Sequence, residues 1–74
     1  KNKNVMTNLK LIPEQFRVND KFLRGPIYDK NGLIGYEEEW EIIKIEDNKL
    51  FFENDIVWKI NDLSLTSLYN IKRN

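Results

Sequence analysis

The clearest alternation of apolar and polar positions lies in WEIIKIEDNKLFFENDIVWKI, residues 40–60, where Asp47-Asn48 and Asn54-Asp55 break three short apolar runs. Apolar runs bounded by turn-forming residues predict a three-stranded meander. Its register follows from pairing. A two-residue loop at Asp47-Asn48 sets Glu46 opposite Lys49, Ile45 opposite Leu50 and Ile43 opposite Phe52. A three-residue loop at Glu53-Asn54-Asp55 sets Phe52 opposite Ile56 and Leu50 opposite Trp58. A two-residue loop there would bring Glu53 and Lys49 onto the face of Ile56 and Trp58, so the hydrophobic register selects the longer turn. The predicted inner face is Ile43, Ile45, Leu50, Phe52, Ile56, Trp58 and Ile60. Strict alternation leaves Trp40 and Ile42 on the other face. Either both meet solvent, or the strand changes face near Ile42-Ile43 through a bulge.

Upstream the pattern is less regular. KNKN is polar and predicted to fray. VMTNLKLIPEQF fits a short helix or an edge strand, since Pro13 argues against a central one. In FRVNDKFLR, Phe16, Val18, Phe22 and Leu23 flank a turn at Asn19-Asp20. RGPIYDKNGLIGYEEE holds all three glycines and predicts a long loop or an irregular hairpin. After Ile60, Asp62 or Ser64 offers an N-cap for a short helical turn carrying Leu65, Leu68 and Tyr69. A last strand is expected at Ile71–Arg73.

FRVNDKF, the long irregular segment, the meander, the helical turn and the last short strand together resemble an SH3-like small barrel over residues 16–73. Such barrels open with a Phe-x-Val-Gly-Asp-like turn, and here Asn19 stands at the glycine position. The resemblance implies an all-β fold of about five short strands, with residues 1–15 as an N-terminal extension and 16–74 as the barrel. It also implies that the long first loop and the adjoining meander face bind a peptide, a protein or nucleic acid.

Composition narrows the chemistry. The 74 residues include neither cysteine nor histidine, so disulfides, thiolate zinc sites and the commonest general base are all absent. With 41% hydrophobic and 12% aromatic residues, the chain can still bury a small core. Formal net charge is zero, which argues against a uniformly charged binder of nucleic acid. The distribution is uneven: residues 1–30 carry seven bases against three acids, and residues 37–55 eight acids against two bases. No apolar run approaches the ~20 residues needed to span a bilayer, and no signal-peptide pattern is present. The first residue is Lys1 rather than methionine, which leaves room for residues upstream. The expected compartment is the cytoplasm.

Glu37, Glu38, Glu39 and Glu41 raise the question of a carboxylate site. On an extended chain successive side chains alternate, so Glu38 faces away from the other three. DKNGLIGYEEEW echoes a calcium loop but has Leu33, Ile34 and Trp40 where that loop needs an oxygen ligand, a glycine and a glutamate. No metal or cofactor is expected. Without histidine beside Ser64, Thr66 or Ser67, enzyme activity is not expected either. The glutamates then solvate a strand edge or rim a surface for a basic partner.

The expected role is a small non-enzymatic protein-binding module, of the kind a phage or mobile element uses as a regulator or inhibitor. Its contact residues would be Tyr28, Tyr36, Glu37, Glu38, Glu39 and Trp40, with Tyr and Trp as anchors. Equally, Trp40 can belong to the core and the tyrosines can pin the loop. The alternative is a nucleic-acid-binding face of Phe51, Lys44, Lys49 and Lys59, with Lys72, Arg73 and the basic N-terminal residues Lys1, Lys3 and Lys10 adding phosphate contacts. Partner identity and oligomeric state are not specified by these residues.

Overall fold

The computed structural model of the protein describes residues 7–74; Lys1 and Lys3 of the basic-terminus expectation, and the polar KNKN start, lie outside them. Six strands follow in order: β1 (Thr7–Leu11), β2 (Lys21–Asp29), β3 (Gly32–Glu46), β4 (Lys49–Phe52), β5 (Val57–Lys59) and β6 (Tyr69–Arg73). All pairings are antiparallel, in the spatial order β1-β6-β2-β3-β4-β5. The fold is all-β. Two single 3-10 turns, Pro13–Gln15 and Ile60–Asp62, are the helical segments among the described residues.

The meander forms in nearly the predicted register. Glu46 pairs with Lys49, Ile45 with Leu50, and Leu50 with Trp58. Asp47 and Asn48 both take positive φ, 54° and 61°, as a type I′ turn requires at its two central residues. In the second turn Phe52 N–H donates to the Ile56 carbonyl at 3.0 Å, which encloses three residues. Asp55 takes the left-handed position there, with φ 70°.

One pairing differs from expectation. Phe52 lies opposite Ile42 rather than Ile43, because a bulge falls between Ile42 and Lys44. The extra residue reverses the facing of β3, so Trp40 and Ile42 both turn inward. Ile42 is fully buried, while Ile43 is 55% exposed and Ile45 also lies at the surface. The core is therefore Phe16, Phe22, Trp40, Ile42, Leu50, Phe52, Ile60 and Ile71, with Ile56 and Trp58 packed against it half-buried.

Six aromatic rings interlock at its centre. Phe22 lies edge-on to Trp58 at 4.6 Å and to Trp40 at 5.9 Å, and Phe52 meets Trp58 at 5.0 Å. Tyr69 bridges Phe22 and Phe16. Such edge-to-face pairs add directional preference to burial.

Of the two alternatives for the first segment, Thr7–Leu11 takes the edge strand, pairing along its whole length with β6. One further expectation changes. Residues 65–69 form no helical turn: Leu65 and Leu68 are exposed and Tyr69 opens β6. The turn at residues 17–20 holds asparagine in a left-handed position. Asp20 N–H donates to the Arg17 carbonyl at 3.1 Å and Asn19 has φ 79°, the geometry of a type II turn. Asparagine is the side-chain-bearing residue that best tolerates that position.

Asp20 then locks the turn. Its buried carboxylate accepts the Arg17 N–H at 2.8 Å and a two-pronged donation from Arg73, Nε at 2.8 Å and Nη2 at 2.7 Å. Arg73 also reaches the Gln15 carbonyl at 3.0 Å. The start of β2 is thereby tied to the end of β6.

Candidate functional site

The segment predicted as a long loop or an irregular hairpin is a hairpin. β2 meets β6 only at Lys21 and Phe22, and β3 meets β4 only from Ile42 onward. Between those points and the turn, β2 and β3 pair only with each other among the described residues. They form a two-stranded arm that carries its turn about 25 Å beyond Trp40 at the usual strand rise. The molecule is accordingly elongated, 41 × 31 × 23 Å.

Local chemistry explains why so many turn-forming residues still make strands. At the tip, Asp29 Oδ1 accepts the Asn31 N–H at 2.7 Å, a side chain standing in for a backbone turn bond. Gly32 closes that turn with φ 118°. Gly25, at φ 67°, kinks β2 midway. A Cβ there would lie 2.8 Å from Glu37 Oε1, so Glu37 lies across the glycine. A second bulge, between Ile27 and Tyr28, leaves Ile34 unpaired on β3.

The far end of the arm is apolar. Tyr28 is 67% exposed, Ile34 62% and Leu33 50%, and Ile27 is exposed beside them. Tyr28 and Leu33 are direct cross-strand partners. Four side chains of this size at these exposures offer on the order of 400 Å² of surface, divided between the two faces of the ribbon because successive residues on a strand point to opposite sides. Of these four only Tyr28 stands out in the sequence as an anchor. Ile27, Leu33 and Ile34 were readable as apolar residues inside a turn-rich stretch, once that stretch is known to be a projecting hairpin.

The acidic run is largely committed within the chain. Glu38 lies opposite Arg24 and accepts the Trp40 indole N–H at 3.0 Å. Arg24 covers the Trp40 ring, 4.9 Å from its centroid. Glu39 holds Lys72 at 2.9 Å, and Glu41 lies opposite Lys21. Glu37 rests over Gly25, and Tyr36 is half-buried opposite Pro26. Trp40, at 9% exposed and packed on Phe22, Phe52 and Trp58, leaves the list of surface contacts. The bulge that turns it inward is the reason. Of the expected protein-contact residues, Tyr28 is the anchor left presented to solvent, with Tyr36, Glu37, Glu38 and Glu39 along the arm's shaft.

The lysine face is similarly reduced. Phe51 does lie between Lys44 and Val57 on the outer face of β3-β4-β5. Lys44, however, pairs with Glu46 at 2.7 Å and caps the Phe51 ring 5.1 Å from its centroid. The hydrogen bond and charge of Glu46 raise the Lys44 pKa, and Lys44 lowers that of Glu46. Lys72 is held by Glu39. Arg73 is held by Asp20, whose hydrogen bonds raise the guanidinium pKa above its ordinary value. Lys49 and Lys59, directly opposite each other, remain on that face beside half-buried Phe51.

Arg73 also lines a cavity of ≈ 350 Å³ with Arg17, Val18, Asn19, Asp20 and Asn74, but its guanidinium is already committed to Asp20. Among the described residues no three carboxylates converge in a way that could hold a metal ion, and no helix is long and apolar enough to cross a membrane. Comparison with protein-family models, with curated proteins and with solved structures returns no match for this chain.

Proposed function

We propose that this chain is a small, non-enzymatic protein-binding module built on an SH3-like barrel, and that the tip of its β2–β3 arm is the contact. The single observation that carries this reading is the exposed group Ile27, Tyr28, Leu33 and Ile34 at the end of a projecting ribbon. Apolar side chains of this number are costly to hold in water away from the core, while the core itself closes without them. A tyrosine with three aliphatic neighbours is also the composition favoured at the centre of interfaces, with Arg24, Lys30 and the glutamates as a polar rim. The SH3-like reading is supported by a long β3 that serves both halves of the sheet and by the left-handed Asn19 in the opening turn.

A photo-crosslinking residue at position 28 or 34 tests the assignment. Protein adducts are expected from both positions, and far fewer from position 59 on the lysine face. Ile34→Lys should cut capture at position 28 at least about tenfold while changing stability by no more than about 0.5 kcal/mol, as for other surface substitutions. Adducts at position 59 alone would overturn the reading.

A further inference from the structure

We infer that Asn31, at the tip of the arm, is a site of spontaneous chemical modification, its side-chain amide being lost through a cyclic imide formed with the Gly32 nitrogen. Asparagine is a thermolabile residue. What limits this reaction is how easily the next backbone nitrogen reaches the side-chain carbonyl carbon. Asn31-Gly32 is the only Asn-Gly step in the sequence. Glycine has no Cβ to crowd the approach, and it takes backbone angles that other residues resist.

The fold leaves that step open rather than shielding it. Both residues are exposed, and a Cβ placed on Gly32 would meet nothing within 4 Å. Among the described residues the Asn31 side-chain amide makes no hydrogen bond; its backbone N–H alone is held, by Asp29 Oδ1 at 2.7 Å. Two other turn asparagines are engaged. Asn48 donates its Nδ2 to Asn61 Oδ1 at 2.9 Å, and Asn54 Oδ1 accepts the Ile56 N–H at 3.2 Å. Gly32 opens β3 opposite Asp29, so its nitrogen belongs to the last rung of the ribbon. A terminal rung far from the core is where a hairpin opens most easily.

The chemistry balances with water as the co-reactant. The Gly32 nitrogen gives up its proton and bonds to Asn31 Cγ; the Cγ–Nδ2 bond breaks and ammonia leaves. Water then opens the imide. Cleavage between the Gly32 nitrogen and Cγ leaves aspartate at position 31. Cleavage between that nitrogen and the main-chain carbonyl carbon leaves isoaspartate, with the chain running through the former side chain. Either product adds a carboxylate near Asp29, so the turn passes from balanced charge, Asp29 against Lys30, to net negative. Isoaspartate also adds a methylene to the main chain between the end of β2 at Asp29 and the start of β3 at Gly32, where loop length sets the register of the hairpin. The reaction is independent of what the arm binds, although it alters the surface proposed as the contact.

Ageing the whole folded chain in warm, mildly alkaline buffer, followed by peptide mapping with mass spectrometry, tests this. Replacement of NH by O should accumulate at position 31 at least about tenfold faster than at Asn19, Asn48, Asn54, Asn61 or Asn70. It should appear as a separable pair of aspartyl and isoaspartyl peptides. The rate should lie within about tenfold of that in the guanidinium-unfolded chain, since the tip has little structure to protect it. Asn31→Gln, whose longer side chain closes the ring far more slowly, should abolish the mass change in that peptide. Fluorescence of Trp40 and Trp58 checks that this variant stays folded. Conversion at position 31 no faster than at the other asparagines overturns the inference, as does protection of more than about tenfold relative to the unfolded chain. A mass change that persists in Asn31→Gln places the chemistry on another residue and overturns it too.

Discussion

The body of this protein and its arm are made from the same two strands, yet they obey different rules. In the body, β2 and β3 run between neighbours on both sides, and Phe22, Trp40 and Ile42 point into a core closed by six aromatic rings. Beyond Leu23 and Trp40 the same strands continue with no other strand of the described residues beside them. The body's apolar residues are hidden by packing, whereas the arm's lie open. One consequence is that the residues packed in the core and those left open on the arm are separate sets, so either can be substituted with little effect on the other.

The largest expected effect comes from the body. Phe52→Ala removes a ring that touches Phe22, Trp40 and Trp58 and should cost about 3–5 kcal/mol, most of what a domain this small has. Urea unfolding followed by tryptophan fluorescence would measure it. A cost below about 1 kcal/mol would mean that the core is loosely packed and the contrast with the arm false. Next comes Asp20→Ala, which strips Arg73 of its fork and leaves the Arg17 N–H without its acceptor. Arg73 is 22% exposed and can turn toward water, so about 2–3 kcal/mol is expected rather than the full cost of a buried charge left alone. The same variant should fray β6 at Arg73, visible as faster amide exchange there.

Legibility divides along the same line. The meander was readable because its hydrophobic period, its turn residues and its opposite-charge pair agree on one register. The bulge near Ile42-Ile43 was foreseen as one way to resolve the position of Trp40, but the register counted without it set Ile43 opposite Phe52, where the bulge brings Ile42 instead. The arm was legible as an irregular hairpin and not as a projection. Gly25, Pro26 and Gly32 signal turns, and only the absence of strands beside β2 and β3 shows that they shape a ribbon instead. Pairing of β1 with β6 joins residues as far apart as Thr7 and Arg73, a contact that no local pattern announces. The Asp20–Arg73 lock was missed for the same reason: a basic C-terminal residue reads as solvated until its partner is known.

A third substitution sharpens the contrast within the arm. Gly25→Ala forces a side chain into a left-handed φ and against Glu37, at about 1–2 kcal/mol for the backbone alone. If the arm opens independently of the body, that penalty should appear as lost amide protection over residues 26–36, with the exchange of Ile42, Leu50 and Ile71 unchanged. A matching loss of protection at those core amides would show that arm and body unfold as one unit, and that the arm owes its order to the core.

The smallest effect is expected on the outer face of the body, from Lys44→Ala. Glu46 has its pKa lowered by Lys44, so the pair's contribution is present above the ordinary carboxylate range and is lost as pH falls through the lowered value. Lys44 has its pKa raised, so from that side the contribution is present below the ordinary lysine value and is lost only as pH rises through the raised one. Between roughly pH 5 and pH 10 the pair is intact. Both side chains stand in water, where such pairs contribute little, so the thermal midpoint of Lys44→Ala should follow that of the wild type across this window. What the substitution should change is the Phe51 ring, which loses the ammonium group above it. If the midpoint instead falls by several degrees at neutral pH and the difference closes toward pH 3, this face carries stability as the core does, and the division between a packed interior and a solvated surface has to be redrawn there.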